Sequence, residues 1–134
     1  MNQNSNDRIE VNSLCFAKWR NGYYYPGVVR RITSTEVTID FLDGSMDRAD
    51  SSELISLRDG LANLALQGNW KQGFFWYKGR LGETVSPREA MTFYYDDGDI
   101  EEIALKQLRG KLDTNVHTRR DTDDVIDIRT QREN

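Results

Sequence analysis

The chain has 134 residues, a formal net charge of −4 and 30% charged residues of both signs. That length holds one ordinary domain or two small ones of about 50 to 60 residues each. The acidic balance argues against a broad phosphate-backbone face, which needs basic charge, and mildly favours a basic partner.

Residues 14–19 are read as an alternating strand, with Arg20-Asn21-Gly22 as a turn behind them. This predicts a first strand ending at Trp19. Tyr23 to Ile32 is rich in aromatic and β-branched residues and predicts a second strand, with a bulge or sharp bend at Pro26-Gly27. Val37, Ile39 and Phe41 alternate with Thr38 and Asp40, a strand with one apolar face. Asp43-Gly44 is a hairpin signal, Ser45 to Ala49 a short polar strand. Ser52 to Leu57 is expected to pass through one helical turn into a last strand. Residues 58–63 connect to a second series.

That second series repeats the first. Trp19 maps onto Trp70, Gly22 onto Gly73, Tyr25 onto Tyr77, Gly27 onto Gly79, Phe41 onto Tyr95, Asp43 onto Asp97 and Gly44 onto Gly98. The offset drifts from 51 to 54 residues, so the second copy carries insertions, one in its first hairpin and others near Ser86-Pro87. Its strands are expected at 64–70, 74–83, 90–95 and 99–103, with a helical turn at Leu105 to Leu108. The expected fold class is all-β: two tandem five-stranded barrels packed together, at residues 10–58 and 62–110. Residues 111–134 have no aromatic and are rich in Asp, Arg and Thr, which predicts a polar, disordered tail. Val125 to Ile128 is its one apolar cluster and a candidate added strand.

The single cysteine, Cys15, cannot form an internal disulfide and has no thiol neighbour for a zinc site. No run of 18 apolar residues occurs, and Met1 to Asp7 lacks the apolar stretch of a signal peptide. An intracellular, soluble protein is expected. The one histidine, His117, lies in the polar tail, and no nucleophile has a plausible base, so no catalytic residue, metal or cofactor is expected.

All 14 aromatics lie between Phe16 and Tyr95. In each copy a Trp ends the first strand and a Tyr follows six or seven residues later. A third aromatic ends the third strand, with an Asp two residues on. Neighbouring strands bring these ends to one rim. Aromatic faces there, with a carboxylate beside them, attract a cation through the ring quadrupole, and methylated ammonium groups desolvate cheaply. The competing reading is that the rings are core, since a small barrel needs large core residues. An Asp beside a turn Gly commonly only satisfies that turn.

AKWRNGYYYPG followed by DFLDGS resembles a Tudor domain, and NWKQGFFWYKG followed by YYDDGD resembles a second. The resemblance covers residues 12 to 110 and is similar in pattern to tandem Tudor chromatin readers and to Agenet and spindlin-like relatives. It implies SH3-like barrels that read methylated lysine or arginine in basic peptides, such as histone tails. It implies a monomer without cofactor, nuclear if the source is eukaryotic. The implied first cage is Trp19, Tyr25 and Phe41 with Asp43, and Tyr23 as an uncertain neighbour of matching strand parity. Ser45 stands where many members have another aromatic. The implied second cage is Trp70, Tyr77 and Tyr95 with Asp97 and Asp99, and Phe75 as the corresponding neighbour. The first copy has the cleaner spacing. Two alternatives stay open. One is nucleic-acid binding through Arg30, Arg31, Lys71, Lys78, Arg80 and Arg88 with exposed aromatics stacking on bases. The other is a protein-interaction module with degenerate cages.

Overall fold

The computed structural model describes residues 8–82 and 90–112. Ser86-Pro87, Arg88, His117 and Val125 to Ile128 lie outside them. Among the described residues are ten strands and one α-helix: β1 Leu14–Lys18, β2 Tyr24–Ile32, β3 Val37–Phe41, β4 Met46–Ala49, β5 Leu54–Ser56, α1 Leu57–Asn63, β6 Leu64–Asn69, β7 Trp76–Leu81, β8 Met91–Tyr95, β9 Ile100–Ile103 and β10 Leu108–Leu112. Every ladder is antiparallel, so the all-β expectation holds at that level.

The repeat is visible in the pairing. β5-β1-β2-β3-β4 is one run of five strands, and β10-β6-β7-β8-β9 is a second in the same order. The second run meets the first where Gly110 of β10 pairs with Tyr24 of β2. The expected closed barrels are not formed by these ladders. The sheet is open, and among the described residues no ladder joins β4 to β5 or β9 to β10. The chain leaves β4 through a 3-10 turn at Ser51–Glu53 before the three-residue β5, and leaves β9 through a 3-10 turn at Leu105–Gln107. These turns take the place of a closing ladder. The open edges, β4 and β9, are four residues long and carry Asp47, Arg48, Glu101 and Glu102, a composition that resists edge-to-edge pairing.

Several boundaries differ from those expected. The bulge in β2 falls between Val29 and Arg31, whereas Pro26 and Gly27 are in register with Phe16 and Cys15. Trp70 sits in a 3-10 turn rather than in a strand. The connector is a helix, α1. A mid-helix Gly costs about 1 kcal/mol in propensity, which hides this helix in the sequence. Its cause is tertiary: Gly60 lies against the Phe16 ring, where any Cβ would collide. The Ser56 side chain caps α1 by accepting from the Asp59 backbone N–H at 3.2 Å. At the other end of the chain, β10 runs through Lys111 and Leu112, beyond the expected start of the tail at 111, and pairs with β6 over five residues.

Strand β1 is buried on both faces. Cys15 and Ala17 turn into a first core with Val29, Val37, Ile39, Phe41, Ala49 and Leu54. Phe16, on the opposite face, joins a second core with Tyr24, Leu57, Leu64, Leu66, Met91, Phe93 and Leu108. That second core takes residues from both halves of the repeat, so the two units share an apolar seam. Among the described residues no helix is long and apolar enough to cross a membrane.

Candidate functional site

A cleft lies at the equivalent place in each unit. In the first, the β1–β2 turn is closed by Trp19 N–H to Tyr23 C=O at 2.8 Å and Gly22 N–H to Trp19 C=O at 2.9 Å. This sets the Trp19 ring against the end of β3, edge-on to Phe41 at 5.4 Å between centroids and 86°. Tyr25 projects from β2 to the same cleft. The β3–β4 turn needs positive φ at Gly44 (97°), which glycine adopts at no steric cost. It places Asp43 in the lining of the same cleft. Trp19, Asn21, Tyr25, Phe41, Asp43 and Ser45 line a cleft of about 240 Å³.

The second cleft repeats the first closely. Trp70 meets Tyr95 edge-on at 5.3 Å and 84°. Tyr77 meets Tyr95 at 6.4 Å and 80°. Gly98 has φ 102°, matching Gly44. Trp70, Tyr77, Tyr95, Asp97 and Asp99 line a cleft of about 170 Å³. Tyr95 stands here where the first unit has Phe41.

The acids divide their oxygens between turn and cleft. Asp43 Oδ1 accepts from Ser45 N–H at 2.9 Å and from Ser45 Oγ at 2.7 Å. Asp97 Oδ1 accepts from Asp99 N–H at 3.0 Å. Both therefore do stabilise their turns, as the bland reading expects. In each case Oδ2 takes no bond from another described residue, which leaves one carboxylate oxygen for a ligand.

The Tyr95 hydroxyl donates to Glu101 Oε1 at 2.7 Å, and Lys71 N–H donates to Glu101 Oε2 at 2.9 Å. Burial pushes the Tyr95 hydroxyl pKa well up, with the Glu101 bond and the nearby Glu101 and Asp97 charges adding to it. Tyr95 is thus a neutral ring with its hydroxyl tied back. Basic neighbours lie over the cleft tryptophans: Arg20 at 4.9 Å from the Trp19 centroid and Lys71 at 5.2 Å from that of Trp70.

Of the sequence-predicted set, the structure gathers Trp19, Tyr25, Phe41 and Asp43 in one cleft and Trp70, Tyr77, Tyr95, Asp97 and Asp99 in the other. It does not bring Tyr23 to the first cleft. The Tyr23 ring instead stacks on Arg109, whose guanidinium carbon is 3.9 Å from the centroid. Phe75 is 68% exposed and lines neither cleft. Asn21 was missed. Its side chain donates to the Tyr25 hydroxyl at 2.9 Å and accepts from Tyr23 N–H at 3.0 Å. A polar turn residue between Trp19 and Gly22 was its one sequence signal. Glu101 was also missed, and nothing in a local motif marks it.

Cys15 is fully buried, and that burial pushes its thiol pKa up to about 12, so it is no nucleophile at neutral pH. Among the described residues no group of His, Cys, Asp and Glu could hold a metal ion. The chain matches no protein-family model and no curated protein sequence.

Proposed function

We propose that this chain is a non-enzymatic reader that binds methylated lysine or arginine in a basic peptide, such as a histone tail. The observation that carries it is the duplicated cleft. Two tryptophan–aromatic pairs at 5.4 and 5.3 Å, each beside a Tyr and a turn Asp, recur in equivalent positions. Core packing alone does not require both rims to leave a carboxylate oxygen and aromatic faces open to a cleft. Aromatic faces stabilise a desolvated cation by about 2 kcal/mol. The Asp supplies the charge and accepts any remaining N–H.

The resemblance to tandem Tudor units supports the same ligand class. The five-strand order within each run is compatible with that family, with open sheets in place of closed barrels. On this reading the protein works as a monomer, without a cofactor, inside the cell, and in the nucleus if the source is eukaryotic. The first cleft is the stronger candidate. It is larger, and its third aromatic is Phe41 without a hydroxyl to accommodate. The second cleft, with Asp97 and Asp99 at its rim, suits a lower methylation state or an arginine.

The test is an NMR titration with mono-, di- and trimethylated basic peptides. Saturable shifts are expected at the Trp19 indole N–H and around Tyr25, Phe41 and Asp43. Shifts clustered instead on Lys78 and Arg80, seen with oligonucleotides and lost at higher salt, would favour nucleic-acid binding. Binding of an unmodified peptide that survives loss of both Trp19 and Trp70 would favour a plain interaction module.

A further inference from the structure

Arg109 lies in β10, in the second unit, 84 residues from Tyr25 in the first. Its Nη1 donates to the Tyr25 hydroxyl oxygen at 2.9 Å, and its Nε donates to Gln67 Oε1 at 2.8 Å. The guanidinium carbon sits 3.9 Å from the Tyr23 ring centroid, 4.5 Å from that of Trp76 and 5.9 Å from that of Tyr25. Trp76, also from the second unit, meets Tyr25 edge-on at 6.0 Å and 87°. A planar guanidinium that stacks and donates in two directions at once fixes its neighbours in a way an ammonium does not.

The consequence falls on the first cleft. The Tyr25 oxygen already accepts from Asn21 Nδ2 and from Arg109 Nη1, both at 2.9 Å. A phenol oxygen has two acceptor sites and one proton to give. Asn21 and Arg109 both donate to that oxygen, so neither contact uses the Tyr25 proton, and no described residue accepts it. Tyr25 lines the first cleft, so that proton is offered to whatever occupies the cleft.

We infer that Arg109 of the second unit is a positioning residue for the first cleft, holding the Tyr25 ring in place and leaving its hydroxyl as a donor to a carbonyl of the bound peptide. The inference rests on the first cleft being a ligand site. It also assigns a role to the second unit that does not depend on its own cleft binding anything. The second unit braces Tyr25, a lining residue of the first site, through Arg109 and Trp76.

The test is a double-mutant cycle in the full chain, read as affinity for a trimethyl-lysine peptide at the first cleft. R109M and Y25F are each expected to weaken binding about tenfold, within the usual range for residues in contact. The double variant is expected to lose no more than either single one, because Arg109 acts through the Tyr25 hydroxyl. Independent losses that multiply to about a hundredfold, or wild-type affinity in R109M, would overturn the inference. R109K keeps a cation over Tyr23 but gives up one of the two side-chain bonds. It is expected to stay folded and to bind between wild type and R109M, which guards against a simple folding defect. A ligand-free readout separates the two levels. The Tyr25 ring resonances are expected to shift in R109M, while those of Tyr77 and the Trp70 indole stay in place. If the wild type binds no methylated peptide, the assignment of the cleft fails, and unmoved Tyr25 resonances in R109M would independently refute the role of Arg109.

Discussion

Phe16→Ala is expected to destabilise both units together. Phe16 is fully buried, and it sits on the face of β1 that points away from the first core into the seam. A Phe side chain buries roughly 150–250 Å², and at about 25 cal/mol/Å² that is roughly 4–6 kcal/mol. Alanine keeps part of this, and the surrounding groups relax partly into the gap. Core Phe→Ala losses of about 3–5 kcal/mol result. Domains of this size have a net stability on the order of 5–15 kcal/mol, so the variant loses a large share of its margin. Urea unfolding followed by NMR provides separate probes, amides of β3 for the first unit and of β8 for the second. Both are expected to move to lower urea by the same free energy. A cost under about 1 kcal/mol, or a shift of the β3 probes with β8 unmoved, would refute the shared seam.

Gly60→Ala is expected to lower stability by up to about 2 kcal/mol in the same assay. Helix propensity alone would raise it by about 1 kcal/mol, but the new methyl meets the Phe16 ring, and overpacking costs about 1–3 kcal/mol. A stabilised variant would show that Phe16 yields freely. Cys15 is expected to resist a thiol reagent at pH 8 in the native chain and to react on unfolding. Its raised native pKa, about 12 against 9.0, also fixes a sign: the folded chain holds the proton more tightly. That contribution is intact below pH 9 and is lost between 9 and 12, at about 1.4 kcal/mol per pH unit for this group. Unfolding curves that stay flat over that window would contradict it.

Much of the site was legible because its residues recur. Trp19 and Trp70, Phe41 and Tyr95, and Asp43-Gly44 and Asp97-Gly98 mark strand ends and turns, and turn chemistry is local. The two clefts follow from it directly. Helix α1 was not legible, because its Gly60 answers to a ring 44 residues away rather than to its own segment. Strand β10 was hidden for a related reason. Leu108-Arg109-Gly110-Lys111-Leu112 reads as polar, yet it pairs with β6 across the sheet. Tyr23 shows the limit of strand parity. It precedes β2, and Arg109 and Lys111 draw its ring to the seam. Closure of the barrels was over-read from strand count, since count and length do not say whether a turn replaces the last ladder.

On the proposed function, a methylated cation is held by aromatic faces and a carboxylate. The most direct measurement compares two peptides identical except at one side chain, trimethyl-lysine in one and its neutral tert-butyl isostere in the other. Shape and apolar area match, so the difference isolates the charge. Wild-type chain is expected to bind the cationic peptide at least about tenfold more tightly, from a cation–π term of about 2 kcal/mol, and Trp19→Ala is expected to abolish the difference. Equal affinity for both peptides, or a preference unaffected by Trp19→Ala, would contradict the assignment of the first cleft.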